Sequence, residues 1–287
     1  MKNTELIGII GGSGLYSMVD FRLKKKVSLL TPFGKPSDSI LLGTLEGKEV
    51  AFLPRHGAGH LINPTHINFR ANIWALKKIG VSSIISVSAV GSLKEEIKPG
   101  DMVVVDQFID RTYARESSFF DQGIVAHVSL AEPTCPSLRL ALIEASHKAG
   151  ASIHPQGTYL CMEGPQFSTQ AESHWYRLMN AHVIGMTNVQ EAKLAREAEM
   201  CYATLALSTD YDCWRVGHEE VTADQVVEVL KNNIVMAQKI LKQVLVLGIS
   251  ACTGKCRYAL AHAILTDRKK ISAKTKKKLS LLIQKYI

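Results

Sequence analysis

The feature that most limits the fold is an alternation of short apolar runs with segments of helical periodicity. The apolar runs have the length of buried strands and span residues 6–10, 50–53, 81–89, 102–105, 158–162, 182–187 and 200–207. Most of them end in glycine, hydroxyl or charged residues. Strands that alternate with helices indicate an α/β fold, in which ligands collect where strands end.

Helix and loop boundaries can also be predicted. Asn63 and Pro64 indicate a helix start, and Gly80 closes the apolar pattern that follows. Helices are further expected over 136–148, over 190–199, and from the capping-box pattern at Thr222 to about residue 247. Residues 106–120 lack clear periodicity, so we predict a long loop there.

Composition favours one large soluble domain. The chain has 287 residues, 46% of them hydrophobic and 21% charged, which suits a single domain over 1–287 with a basic helical segment from about 250. No apolar stretch approaches the roughly 18 residues of a membrane span. The first ten residues lack a signal-cleavage pattern, so we expect a cytoplasmic protein without a membrane partner.

The net charge of +8 belongs to the C-terminal end. Residues 257–287 hold nine of the 34 basic residues and one of the 26 acidic ones, which leaves 25 of each elsewhere. A solvated helix face explains this tail. Nucleic-acid binding is the alternative, but no aromatic residues are interleaved with the lysines, and we expect no nucleic-acid partner.

The six cysteines are scattered. Cys252 and Cys256 could form a metal or redox pair, but no second pair or histidine cluster accompanies them in the sequence. Small buried thiols are common in apolar runs. We therefore expect no metal site.

Two carboxylates follow the apolar run 200–207. If the backbone stays extended, period-two geometry puts Asp210 and Asp212 on one side. Burial and like charge would then raise at least one pKa, and a carboxyl that keeps its proton near neutrality can donate it to a leaving group. A polar loop after a strand is the other interpretation.

Three further strand ends carry groups that suit an anion. Gly11–Gly14 lets backbone N–H groups approach an anion, with Ser13 adding a hydroxyl. The dinucleotide fingerprint fits poorly here, because Ser17 stands at the third glycine position. Arg55 and His56 offer N–H donors, and small residues recur at Ser88 and Ala89.

Any one of these loops could be an ordinary surface turn. His127 alone is more often a satisfied buried histidine, and Phe167 alone a core residue. Four strand ends together indicate a ligand that is anionic at one end and flat and polar at the other. Phosphate with a purine nucleoside meets that description.

The chain also resembles the 5'-methylthioadenosine phosphorylases of the trimeric purine nucleoside phosphorylase family. The resemblance covers about residues 7–247 and is carried by the motifs at 9–15, 31–38, 55–57, 72–76, 91–93, 106–112, 163–165, 185–187 and 209–214. It implies one α/β domain with a mixed, barrel-like central sheet surrounded by helices. It also implies a homotrimer, with a hexamer as the alternative, and a site near the subunit interface.

The resemblance further implies a role for each matched residue. Phosphate would be bound by Ser13, Arg55, His56, Ser88, Ala89 and Thr187. Met186 would contact the ribose, and Phe167 and Ser168 would lie by the base. Asp210 would serve purine N7 and Asp212 the exocyclic amine. The 5'-methylthio pocket would be lined by His127 of a neighbouring subunit, with His60, Val226 and Val227 as further candidates.

The implied reaction is phosphorolysis of S-methyl-5'-thioadenosine to adenine and 5-methylthioribose 1-phosphate, as in purine and methionine salvage. Phosphate is a co-substrate, and no metal or organic cofactor is expected. Carboxylate acceptors suit a 6-amino purine, whereas relatives that cleave 6-oxopurines use Asn. A purine nucleoside or methylthioinosine phosphorylase remains the alternative, because Gln166, and Asn188 with Gln190, depart from the usual pattern. A nicotinamide-dependent dehydrogenase and a basic binding protein are the rival classes.

Overall fold

The computed structural model describes residues 5–15, 17–215, 223–252 and 254–287, with the side chains of Ser13 and residues 223–227 outside that description. The strands are β1 (Leu6–Gly11), β2 (Arg22–Val27), β3 (Ile40–Leu45), β4 (Lys48–Pro54), β5 (Val81–Ser92), β6 (Met102–Val105), β7 (Gln107–Arg111), β8 (Ile153–His154), β9 (Thr158–Met162), β10 (Val183–Gly185) and β11 (Cys201–Asp210). The helices are α1 (Phe69–Lys78), α2 (Pro136–Lys148), α3 (Gln170–Leu178), α4 (Val189–Glu197), α5 (Ala223–Leu247) and α6 (Ala273–Ile283).

The strands form one mixed sheet that branches at β5. One arm runs in the order β2-β3-β4-β1-β5-β10-β9-β7, and the other leaves β5 through β11 and β6 to β8. Strands β1, β4, β5 and β11 are mutually parallel, so their carboxyl ends meet at one edge. The predicted mixed α/β architecture is confirmed, although the pairings among the described strands do not close it into a barrel.

Helices cover both faces of the sheet. Residues of α1, α4 and α6 pack with Ile84 of β5 on one face, and residues of α2 and α5 pack with Ile85 on the other. Strand β11 is therefore buried along nearly its whole length. Because both faces are covered, its sequence reads as a continuous apolar run and not as an alternation.

Two boundary predictions are wrong. Asn63 caps a 3-10 turn at Pro64–His66, and the extended backbone of Ile67 separates that turn from α1, which Asn68 caps. The predicted loop over 106–120 begins with β7, which pairs in parallel with β9. Most of β7 is half-buried or exposed, so it shows no apolar pattern to detect.

The basic C-terminal segment contains an ordered helix. Ser272 caps α6 through its side chain, and Leu279, Leu282 and Ile283 are buried against the core. Lys274 and Lys277 of this helix are exposed, as on a solvated face, whereas Lys276 and Lys278 are half-buried and the Lys278 ammonium lies 4.8 Å from the centroid of the Phe33 ring. Among the described residues, no helix is both long and apolar enough to cross a membrane.

Candidate active site

A cavity of about 390 Å³ lies at the carboxyl edge of the parallel strands. It is lined by residues that follow β1 and β4 and by residues in the C-terminal parts of β5 and β11, as the polar strand ends predict. Ten of the predicted site residues contribute to its walls, namely Arg55, His56, His60, Ser88, Ala89, Phe167, Met186, Thr187, Asp210 and Asp212. Gly12 and Gly14 also line it, so the glycine turn borders the cavity on both sides of Ser13.

The other predicted residues are placed differently. Ser168 lies next to the site, where its carbonyl accepts from the Cys213 thiol at 3.2 Å. Val226 and Val227 are in the first turns of α5, and their side chains lie outside the described part. His127 is exposed, does not line this cavity, and donates its backbone N–H to Ala263.

The two aspartates reach the cavity by a geometry that differs from the prediction. Strand β11 ends at Asp210 with a register shift after Ser208, so the extended backbone does not continue through both residues. Asp212 follows in a left-handed conformation with φ of 51°, which Asp tolerates better than most residues. Its backbone N–H donates to Asp210 Oδ1 at 2.8 Å, and this turn brings both carboxyls to one wall.

Burial dominates the electrostatics of this acid pair. Loss of solvent raises the pKa of Asp210, although hydrogen bonds from the Thr209 hydroxyl and the Asp212 N–H oppose the rise. Burial likewise raises the pKa of Asp212, with further help from the charge of Asp210. A raised pKa favours the protonated carboxyl, which can donate a hydrogen bond.

A buried ion pair fixes Arg55, which lines another part of the cavity. The Arg55 side chain is only 3% exposed, and its Nε lies 2.6 Å from Oε1 of Glu191, which is 2% exposed. Arg55 also donates to the Val87 carbonyl at 2.9 Å and to the Ser86 hydroxyl at 2.6 Å. A guanidinium has five N–H donors. With a longer bond from Nη2 to the Ile10 carbonyl at 3.4 Å, the described bonds use four of these donors and leave one Nη1 N–H without a described partner.

His56 is a neutral imidazole at pH 7. Burial and the positive charge of Arg55 lower its pKa to about 4. Its Nδ1 lies 2.8 Å from the Ile62 carbonyl, which can only accept, so Nδ1 carries the proton. The remaining ring nitrogen then has a lone pair. His56 thus offers an acceptor for a P–OH group, and not the extra N–H donor expected from the sequence.

A hydrogen-bond network that includes the wall residues Ser88 and Thr187 escaped prediction as a unit. The Ser88 and Thr187 hydroxyls are 3.2 Å apart, and Thr187 donates to Asn188 Oδ1 at 3.1 Å. Asn188 is fully buried and donates to the Ser86 hydroxyl, whose own proton goes to Glu191 at 2.7 Å. Asn188, which departs from the family's usual residue, therefore affects the hydrogen bonds that hold Arg55. It does so through a network that no sequence spacing reveals.

A second buried pair supports the turn that carries Met186. Arg115 Nε lies 3.0 Å from Glu163 Oε1, and Arg115 Nη1 donates to the Met186 carbonyl at 2.6 Å. Arg115 also donates to Gln190 Oε1. Gln190, the second residue that departs from the family's usual pattern, therefore helps to hold the turn that carries Met186. Gln166 is exposed and does not line the cavity. Arg115 lies in the segment predicted as a loop, which hid its role.

The remaining wall is largely apolar. His60 stacks on His56 with ring centroids 4.1 Å apart, and Met162, Leu230 and Ile234 line the cavity nearby. Phe167 stands at the rim, 83% exposed. The cavity therefore offers N–H and hydroxyl groups on one side, carboxyls on another, and apolar surface between them.

Comparison with known proteins identifies the family. The sequence model of the phosphorylase superfamily matches residues 6–246. The chain is 50% identical to S-methyl-5'-thioadenosine phosphorylase of Geobacter sulfurreducens, over 99% of each chain. It is 55% identical to that of Koribacter versatilis, over 98% of this chain and 96% of the relative.

Solved structures agree with these relatives. A methylthioadenosine phosphorylase from an antarctic soil metagenomic library superposes with a TM-score of 0.89 at 50% identity, covering 98% of this chain and 99% of the other. The Schistosoma mansoni methylthioadenosine phosphorylase in complex with adenine gives 0.81 at 34% identity, covering 98% of both. This chain belongs to the phosphorylase superfamily.

Proposed function

We propose that this protein catalyses the phosphorolysis of S-methyl-5'-thioadenosine, yielding adenine and 5-methylthioribose 1-phosphate. The observation that carries the proposal is a single cavity with anion-binding groups on one wall and two carboxyls of raised pKa on another. The similarity of this chain, over nearly its whole length, to proteins named S-methyl-5'-thioadenosine phosphorylase supports the same substrate.

Phosphate occupies the wall formed by Arg55, His56, Ser88 and Thr187. An Nη1 N–H of Arg55 donates to a phosphate oxygen. On phosphate binding, the Ser88 and Thr187 hydroxyls turn away from each other and from Asn188 Oδ1 and donate to phosphate oxygens as well. Neutral His56 accepts from a phosphate that carries a proton. The backbone around Gly12 and Ala89, together with the Ser13 hydroxyl, completes the anion site.

The base lies against the carboxyl wall, with Phe167 and Ser168 beside it. A phosphate oxygen attacks C1', the bond from C1' to N9 breaks, and its electron pair leaves with the purine. Protonated Asp210 donates to N7 as negative charge develops on the ring. Asp212 accepts from the 6-amino group. General acid assistance of this kind contributes about 10²- to 10⁴-fold to a rate.

The ribose and its 5' substituent face the apolar wall, with Met186 at the ribose. His60 lines this chain's side of the 5'-methylthio pocket, and His127 of a second copy completes it. Val226 and Val227 are further candidates there, although their side chains lie outside the described part. A homotrimer would supply that copy. Tyr113 and Leu178 are large apolar side chains that are each 86% exposed, and we expect the subunit interfaces of the trimer to cover them.

A protein group is assigned to each step of the proposed phosphorolysis. The reaction therefore needs phosphate as co-substrate and neither a metal nor an organic cofactor in this cavity. The reaction releases a reusable purine and a methylthioribose phosphate, which suits purine and methionine salvage. Six free cysteines suit a reducing cytoplasmic location.

The experiment is a phosphate-dependent assay of purine-base release with methylthioadenosine, adenosine and inosine side by side. Methylthioadenosine should be the preferred substrate, with no release when phosphate is omitted. The variant Asp210→Asn should weaken cleavage of methylthioadenosine more than that of methylthioinosine, because an amide suits a 6-oxopurine. A site whose hydrogen bond is left unpaired can discriminate by roughly 10⁴-fold.

The exposed Asp267→Asn serves as the control, because it makes the same chemical change far from the cavity lining. Its substrate ratios should match those of the wild type. Preferred cleavage of inosine by the wild type would establish the 6-oxopurine alternative instead. Equal losses of both methylthio substrates in Asp210→Asn would remove Asp210 from the role at N7.

A further inference from the structure

Four cysteines from distant parts of the chain converge at one point. Cys135 precedes α2, Cys201 begins β11, and Cys252 and Cys256 lie beyond α5. Their sulfur atoms all lie within 4.8 Å of one another, and three of the four residues are buried. The interpretation that nothing accompanies Cys252 and Cys256 is therefore wrong, because the fold supplies the second pair.

The fold positions these thiols through independent contacts. The Cys135 backbone N–H donates to the Tyr202 carbonyl at 2.8 Å, which ties the start of α2 to the start of β11. The sulfur atoms of Cys135 and Cys252 are 3.6 Å apart. Cys256 lies in a short 3-10 helix and is 3% exposed. The thiols are thus held close together without being bonded.

We propose that Cys135, Cys201, Cys252 and Cys256 form a structural Zn²⁺ site. Four sulfurs at about 2.3 Å around tetrahedral zinc are about 3.8 Å apart. The observed separations of 3.6 Å and up to 4.8 Å need only small side-chain movements to reach that arrangement. A disulfide would need sulfurs at about 2.05 Å and would use the thiols only in pairs.

The surroundings suit a zinc tetrathiolate. Binding releases four protons and leaves a site of net charge −2, which is costly to bury without positive charge nearby. Arg196 and Arg257 lie close enough to act electrostatically on sulfurs of the cluster. The Nε of Arg257 is buried without a hydrogen-bond partner in the described part of the chain, and so could donate to a thiolate.

The site would act on stability and not on the reaction. None of the four cysteines lines the active-site cavity. Zinc would join the segment after α5 to the starts of α2 and β11. A ligand that binds only the folded state raises the unfolding temperature as its concentration exceeds its dissociation constant.

The test uses the full-length protein, reduced and stripped with a chelator, and then titrated with Zn²⁺ alone. One equivalent should bind and raise the unfolding temperature. Co²⁺ in its place should produce sulfur-to-cobalt charge-transfer absorption. Cys252→Ser and Cys256→Ser should each lose the bound metal and the rise in unfolding temperature. Cys213→Ser, outside the cluster, is the matched control and should keep one equivalent.

Failure of the reduced wild type to bind either metal would overturn the proposal. Metal uptake that survives in both cluster variants, or that Cys213→Ser abolishes, would do the same. Should both cluster variants fail to fold, the wild-type Co²⁺ spectrum decides: sulfur charge-transfer bands support the site, and their absence rejects it.

Discussion

Arg55 and Asp210 line the same cavity, but they are held there by different means. The Arg55 guanidinium faces the buried carboxylate of Glu191 and three further oxygen acceptors. The Asp210 carboxyl receives only the Thr209 hydroxyl and the Asp212 N–H among its described hydrogen bonds, and no cation pairs with it in the described part of the chain. One wall therefore buries a compensated charge, and the other buries an uncompensated acid.

The difference separates the tasks of the two walls. A paired guanidinium keeps its charge whatever occupies the cavity, which suits the binding of an anion. An acid buried without a countercharge favours its protonated form, which suits donation to a leaving group. Because the pKa of Asp210 depends on burial and that of Arg55 on its partner, the two walls should respond differently to mutation and pH.

The largest expected effect comes from breaking the ion pair between Arg55 and Glu191. Glu191→Gln leaves the buried Arg55 charge without its partner, and such a loss destabilises a protein by about 3–5 kcal/mol. Urea unfolding followed by fluorescence measures the change. The phosphate KM should also rise, because the guanidinium is no longer fixed.

The control is Glu144→Gln, which removes a carboxylate from an exposed pair with Lys148. Exposed pairs contribute about 0–1 kcal/mol, so stability should barely change. Similar losses of stability in the two variants would show that the buried Arg55–Glu191 pair contributes no more to stability than an exposed pair does.

The second effect concerns pH. Since Asp210 must be protonated to donate, kcat/KM for methylthioadenosine should fall as pH rises through its raised pKa, about tenfold per pH unit beyond it. His56, with its pKa lowered to about 4, should add no titration of the free enzyme between pH 5 and 8.

A pH–rate profile of the wild type beside Asp210→Asn measures this contrast. The amide does not titrate, so the decline at high pH should disappear in the variant. A decline that persists unchanged would assign the titration to another group and break the distinction between the two walls.

The smallest expected effect comes from Gly91, which packs against the Asp210 carboxyl. A Cβ at Gly91 would lie 2.9 Å from Asp210 Oδ1 and 3.2 Å from Ile184 Cγ2. Gly91→Ala should displace the carboxyl at an overpacking cost of about 1–3 kcal/mol. We expect kcat to fall by about 10-fold with the phosphate KM unchanged.

Steady-state kinetics measures both parameters for Gly91→Ala. Gly47→Ala provides a comparison, because a Cβ added at Gly47 would meet no atom within 4 Å, although the φ of 70° there carries strain of its own. An altered phosphate KM in Gly91→Ala with normal kcat would contradict the division between the walls.

The alternation of apolar runs and helical segments was sufficient to predict an α/β fold and a site at the strand ends. This worked because a buried parallel strand such as β11 must be apolar throughout, and because parallel strands end at one edge. The half-exposed strand β7 and the caps at Asn63 and Asn68 were misjudged, since their local patterns are ambiguous without neighbours.

By itself the sequence determined which groups stand at the strand ends, including Arg55, His56 and the aspartate pair. Only the tertiary structure decided what surrounds them. The pairing of Arg55 with Glu191 spans 136 residues, and the four cysteines meet from distant segments. Such contacts depend on packing between distant segments, and burial, which sets each pKa, is a property of the folded chain and not of local spacing.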